Sequence, residues 1–294
     1  MVTQGWLMDD AGKFDASSNS AITERKERFK NAKFVELKSR LHIDLSLQEK
    51  LLPSNLDIKI TLTPTKPEFV LMSHDATPNY KVIISDATLY VRKVKINPSR
   101  QLAFEQQIAK NPIRIPISYV SMKNISLASG ISSFNQDGII TGPLPTLCIL
   151  GFVPNNNFVG TYVTNPFNFK HFGVNSLGLR VNGRNLPSRA LTPDYDNDNF
   201  IDAYQTLFSG LGVEFDDFDN AIDYDLYKNG CCLYAFNLTP DNCPHNAIGN
   251  NGSLDLSVRF KSSLTETITL VCYAQYQNNI FIDQHRNCFT DIHN

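Results

Sequence analysis

Cys231, Cys232, Cys243 and His245 lie close together in the chain, and thiolate and imidazole donors in fours suit tetrahedral zinc. Their spacing, however, is no C-x-x-C arrangement, and adjacent residues such as Cys231 and Cys232 face opposite ways on a strand. Zinc is not expected there. Asp194-Tyr-Asp-Asn-Asp-Asn199 opens like a calcium loop, with Asp194, Asp196 and Asp198 at alternate positions. An EF-hand needs glycine at its sixth position and glutamate at its twelfth, where this chain has Asn199 and Gln205, so an EF-hand is excluded. Irregular calcium coordination by these three, or by Asp216, Asp217 and Asp219, stays open beside the plainer expectation of solvated carboxylates. A cupin-type metal site needs two histidines one residue apart on a strand face, and His42, His74, His171, His245, His285 and His293 are scattered instead. No G-x-S-x-G, P-loop, dinucleotide-binding glycine set or H-E-x-x-H occurs. No catalytic residue, cofactor or resident metal is therefore expected, and the chain does not read as an enzyme.

The elements that would carry these residues are strands. Leu56-Asp-Ile-Lys-Ile-Thr-Leu62 and Leu254-Asp-Leu-Ser-Val-Arg-Phe260 alternate apolar and polar positions as half-buried strands do. Their surroundings match as well: Leu41 to Leu47 precedes the first as Leu233 to Leu238 precedes the second, and Tyr80 to Val91 follows as Ile268 to Tyr276 follows. A strand triplet repeated in this way predicts two copies of one β-module. Pro98 suits a first helical turn, and apolar positions at 102, 108 and 109 predict a helix to Lys110. A slip of phase near Arg92-Lys93 predicts a β-bulge. Beyond Pro112 about eight strand segments follow, among them Ile113 to Leu127, Thr146 to Val153 and Leu177 to Val181. Asn182-Gly183 supplies a type I′ hairpin turn, and Phe200 to Leu211 has the spacing of a short helix.

The expected fold is all-β and of the double jelly-roll type, because eight antiparallel strands with long excursions suit a jelly roll. Residues 1–39 read as an arm or loop region, 40–97 as the C-terminal half of a first roll, 98–111 as a linker helix, and 112–294 as a complete second roll. The first roll shows closing strands only, and such a half roll leaves unpaired edges. Poor solubility or edge-to-edge association is the expected consequence.

Net charge is -2, so nothing global points to a nucleic-acid site. Locally, Arg25 to Arg40 is basic, while Ala190 to Tyr227 holds ten acidic residues and no Lys or Arg. These are solvated faces or complementary contacts between copies. No basic and apolar leader begins the sequence, and the longest apolar run, around Leu147 to Val153, is too short for a membrane span. The six cysteines read as reduced and buried, and the sequons at Asn124, Asn237 and Asn251 as unused. Asn165-Pro-Phe-Asn-Phe-Lys-His-Phe172 is either an exposed subunit contact or a loop packed across the barrel.

That aromatic stretch, together with Ala203-Tyr-Gln-Thr-Leu-Phe-Ser-Gly210, Asn229 to Asp241, Tyr273-Ala-Gln-Tyr276, Ile282-Asp283, Arg286-Asn287 and Asp86 to Val94, resembles the capsid-like proteins of Polinton (Maverick) elements and adintoviruses. The resemblance runs from about Trp6 onward and lies in the order and spacing of the motifs. It implies a double jelly-roll major capsid protein without catalytic residues, whose homotrimers pack with capsid neighbours in a virion assembled inside the host cell, in nucleus or cytoplasm. It also implies a further N-terminal segment, holding the opening strands of the first roll, that this sequence lacks. Two other expectations stand beside a self-assembling capsid subunit: a single jelly-roll carbohydrate- or receptor-binding module, with Asn155 to Asn157 or Asp194 to Asn199 as its contact loops, and a cupin-like metal-dependent oxygenase or isomerase.

Overall fold

A computed structural model of the chain describes residues 7–214, 220–239 and 251–290. Helix α1 (Ser20–Phe29) continues into a 3-10 turn, Lys30–Ala32, and is followed by the short helices α2 (Asp44–Leu47) and α3 (Pro67–Val70). Helix α4 spans Pro98–Lys110, as its Pro98 and apolar spacing predict, and Asn97 caps it by accepting from the Ser99 N–H. Strands and helices then run β1 (Ile113–Leu127), β2 (Ser133–Pro143), β3 (Leu147–Pro154), α5 (Asn155–Val159), β4 (Phe169–Lys170), β5 (Val174–Val181), β6 (Arg184–Leu191), α6 (Ile201–Leu211), α7 (Tyr224–Lys228), β7 (Asn229–Gly230), β8 (Leu233–Asn237), β9 (Asn251–Phe260), β10 (Ile268–Ile282) and β11 (Cys288–Thr290).

Two antiparallel sheets face each other. One has the order β1-β10-β3-β8, with β11 added to β10, and the other β2-β9-β5-β6. Counting the eight principal strands alone, these orders become first-eighth-third-sixth and second-seventh-fourth-fifth. Successive strands thus alternate between sheets except for the β5–β6 hairpin, which is the winding of a jelly roll. That hairpin turns on Asn182 and Gly183, both at positive φ, as the type I′ expectation requires.

The core follows the two-residue period. In β9 the buried positions are Leu254, Leu256, Val258 and Phe260, and they meet Leu150 and Phe152 of β3, Leu177 and Leu179 of β5, and Ile268, Leu270 and Cys272 of β10. Each fully buried Leu or Ile contributes about 1.5–3 kcal/mol relative to exposure. Helix α6 closes the β8 edge, where Gly210 allows it to approach the Ala235 backbone. A second, smaller apolar cluster of Ile115, Ile117 and Ile282 receives Leu52 and Leu56.

Residues 40–97 depart from expectation. No paired strand forms over Leu41–Leu47, Leu56–Leu62 or Tyr80–Val91: residues 44–47 make α2, and the other two runs have no β-partner. The slip near Arg92-Lys93 is accordingly not a bulge; register shifts occur instead at Gln136/Ile140, Leu177/Leu179 and Val174/Ser176. The pairing of the complete roll gives the reason. Of the strands that match this triplet, β8 pairs with β3, β9 with β2 and β5, and β10 with β1, β3 and β11; none of the three pairs with another. A copy of these three alone has nothing to make a ladder with. Its apolar side chains, including Ile58, Ile60, Leu62, Val82, Ile83, Leu89 and Val91, stand exposed.

Candidate assembly interface

The long excursion between β3 and β5 carries α5 and the loop 160–173, and two separate segments of the preceding chain dock on it. The first is residues 7–32. Its carboxylates are held by buried amides: Asn165 donates its backbone N–H to Asp15 Oδ1 at 2.6 Å and its Nδ2 to Asp9 Oδ2 at 3.2 Å, and Asn168 Nδ2 reaches Asp15 Oδ2 at 2.6 Å. Asn157 steadies this loop by donating to the Asn165 carbonyl at 3.0 Å. On the segment's own side, Asp9 pairs with Arg25 at 2.5 Å and accepts from Asn19 Nδ2 at 3.0 Å, while Asn19 Oδ1 caps α1 at Ala21. A buried carboxylate is costly unless several donors satisfy it, and this network supplies them.

Phe14 completes the contact. It is 5% exposed and lies over Gly230, where an added Cβ would come within 2.0 Å of the ring and where φ is +152°. Only glycine leaves room for it. Next to this socket, Gly12 donates its N–H to the Asn229 carbonyl at 2.7 Å. The second docked segment is residues 66–80. Phe69 packs over Gly160 and edge-on to Phe167 at 5.9 Å, Ser73 donates to the Tyr162 carbonyl at 2.7 Å, and Tyr162 Oη donates to the Tyr80 carbonyl at 2.9 Å.

The aromatic stretch Asn165–Phe172 packs within its own chain, as the loop expectation has it. Phe172 packs against the main core and His171 stacks on Tyr195 at 4.2 Å, while Phe167 faces outward to meet Phe69. His171 Nδ1 accepts from the Gly173 N–H at 2.9 Å, so the ring is neutral when this bond forms. Burial, aided by the charge of Lys228, lowers its pKa, with Asp196 opposing.

Behind His171 lies a buried polar cluster. Tyr195 Oη is 2.8 Å from Tyr234 Oη and 3.2 Å from Cys232 Sγ. Burial pushes the Cys232 thiol up, and burial together with Asp9 pushes Cys231 up to about 11. Neither is a thiolate near neutral pH, so neither is an activated nucleophile. Of the four residues considered for zinc, Cys231 and Cys232 are joined by no further ligands among the described residues, and Cys243 and His245 lie outside those. Cys148 and Cys272 are buried free thiols with sulfurs 3.6 Å apart; Cys288, on the short edge strand β11, is exposed, contrary to expectation.

The calcium-like loop is closed on itself. Asp194 and Asn199 exchange backbone hydrogen bonds, Asn197 Nδ2 donates to Asp194 at 2.6 Å, and this bond, with Lys261, holds the Asp194 carboxyl below its usual range. Lys261 Nζ is 2.5 Å from Asp196 Oδ2, and Lys228 pairs with Asp198. The three aspartates turn to lysines and amides instead of converging. Asp216, Asp217, Asp219, His293 and Trp6 lie outside the described residues. Among those described, no three His, Cys, Asp or Glu side chains gather to hold a metal ion, and no helix is long and apolar enough to cross a membrane.

Comparison with known proteins adds partial likenesses. No protein-family model matches the sequence. An uncharacterized protein of Caenorhabditis elegans is 24% identical over 264 residues, which cover 87% of this chain and 63% of the relative. The chain therefore spans less than two thirds of that relative's length. Among solved structures, that of the Sputnik virophage matches 62% of this chain and 39% of its own at 12% identity and a TM-score of 0.40. The VP54 protein of PBCV-1 matches 68% and 55% at 13% identity and 0.37, and the mavirus major capsid protein 62% and 42% at 8% and 0.34. The jelly-roll description rests on strand order and pairing, not on these scores.

The sequence alone does not single out Asp9, Asp15, Asn165 and Asn168. The signal available is that short polar side chains cluster in two segments about 150 residues apart, one of them crowded with phenylalanine.

Proposed function

We propose that this chain is part of a double jelly-roll capsid subunit that acts by self-assembly. Residues 112–294 are its second roll, and residues 40–97 are the closing strands of a first roll whose other strands come from polypeptide outside these 294 residues. Trimers of such subunits then tile a virion shell assembled within the host cell. One observation carries this reading: the triplet at Leu41, Leu56 and Tyr80 repeats the pattern of β8, β9 and β10, three strands that pair with other strands of the roll and never with each other. The resemblance to capsid-like proteins of Polinton elements and adintoviruses points the same way, as does the docking of residues 7–32 and 66–80 onto the β3–β5 excursion. Such docking joins modules side by side through polar, satisfied contacts. The subunit is structural, without cofactor or catalytic group.

The test is mass photometry and cryo-EM of the chain expressed within its complete reading frame. Trimers and larger closed shells are expected. A strictly monomeric product at micromolar concentration refutes the proposal.

A further inference from the structure

The contact made by residues 7–32 has the properties of an exchangeable one. Its recognition elements are built on both sides, with Asp9, Asp15 and Phe14 on the segment and Asn165, Asn168 and Gly230 on the roll. The residues that connect it onward, Lys33 to Arg40, have no regular structure, and their side-chain hydrogen bonds are local, Ser39 to the Arg40 carbonyl and Arg40 to the Ser46 carbonyl. Lys38 lies over the Tyr90 ring at 5.0 Å. Phe34 and Leu37 in this hinge are 92% and 73% exposed, apolar surface that a single copy leaves in water. Eight residues can span about 28 Å when extended.

We infer that, when copies are packed against each other, residues 7–32 of one copy occupy the Asn165/Asn168/Gly230 cradle of its neighbour. The occupant is thus a second copy of this chain. The contacts are the same whether made within a copy or between copies, so concentration decides. The tether gives the cradle of the same copy an effective concentration on the order of millimolar, which isolated molecules in dilute solution do not match. In a packed shell the neighbour's cradle competes on equal terms, and burial of Phe34 and Leu37 between copies tips the balance. Because strap and cradle are different surfaces, the contact is head-to-tail and propagates around a closed ring. This inference rests on the self-assembly proposed above.

The test needs no variant. Nitrogen-15-labelled and unlabelled protein are mixed in equal amounts, unfolded, assembled together and treated with a short amine-reactive cross-linker. Lys13 and Lys170 report the contact, since Gly12 bonds to Asn229 and Asn229 is the strand partner of Lys170. With full exchange, about half of the Lys13–Lys170 cross-links in assembled material join a labelled to an unlabelled peptide, and almost none do in dilute monomer. Assemblies whose Lys13–Lys170 links are all of one isotope overturn the exchange while leaving self-assembly intact. Absence of any assembly overturns self-assembly and the exchange with it.

Discussion

Pairing Phe14→Ala with Gly230→Ala in a double-mutant cycle probes the docking of residues 7–32 most directly. Phe14 is almost wholly buried, and a buried phenylalanine removes 150–250 Å2 from water, so its loss costs about 4 kcal/mol of docking free energy at ~25 cal/mol per Å2. Gly230→Ala acts on the same contact from the other side. Its Cβ would lie 2.0, 2.5 and 2.6 Å from three atoms of the Phe14 ring, and its φ of +152° disfavours any side chain. Overpacking and backbone strain together amount to about 3 kcal/mol. With the ring gone, the overpacking disappears and only the strain remains. The double variant should therefore cost about 5 kcal/mol instead of 7, a coupling of about 2 kcal/mol. Hydrogen exchange at Gly12 and Thr23, whose N–H groups bond to the Asn229 and Asn19 carbonyls, reports docking separately from the roll. Additive costs, with coupling below about 0.5 kcal/mol, refute the socket.

Three further outcomes are expected. His171 has a folded-state pKa below its ordinary 6.5, so the unfolded chain takes up the proton first; stability is full above pH 6.5 and falls as pH drops through the folded value, and urea titrations should show this fall reduced in His171→Gln. Gly210→Ala places a Cβ 2.8 Å from the Ala235 Cβ and carbonyl oxygen, forcing α6 off β8 at a cost of about 1–3 kcal/mol in urea unfolding. Amides of residues 56–62 and 80–91 should exchange with deuterium within seconds in the isolated chain, while those of 254–260 and 268–276 stay protected for hours or longer; equal protection in both sets contradicts the absence of ladders in the first.

Much of the second roll is legible from side-chain period, because each strand buries one face. Leu254 to Phe260, Ile113 to Leu127 and the Asn182-Gly183 turn are read from local pattern, and the structure pairs them as such. The same pattern at Leu56 misleads about state though not about character. Alternation says which face a strand would bury, but a ladder also needs a partner, and partners are set by residues far away in sequence. The interface is less legible for the same reason. Asp15 and Asn168 are 153 residues apart, and nothing in either neighbourhood announces a hydrogen bond. Helices α2 and α3 are too short to leave a period, and the calcium-like loop shows its lysine partners only when Lys228 and Lys261 are brought beside it.

The position of β10 bears on how this protein is made. Among the described residues it is the last long strand in chain order, yet it lies inside its sheet, between β1 and β3, with Ile113 facing Ile282 and Val153 facing Thr269. Without β10, β1 has no strand partner and β3 has only β8. Closure of this sheet therefore waits on β10, although the β5–β6 hairpin and the β3–β8 pair involve only strands that precede it. Contacts so distant in sequence make that step slow. Until it occurs, the apolar faces of the waiting strands are open to pairing with other chains.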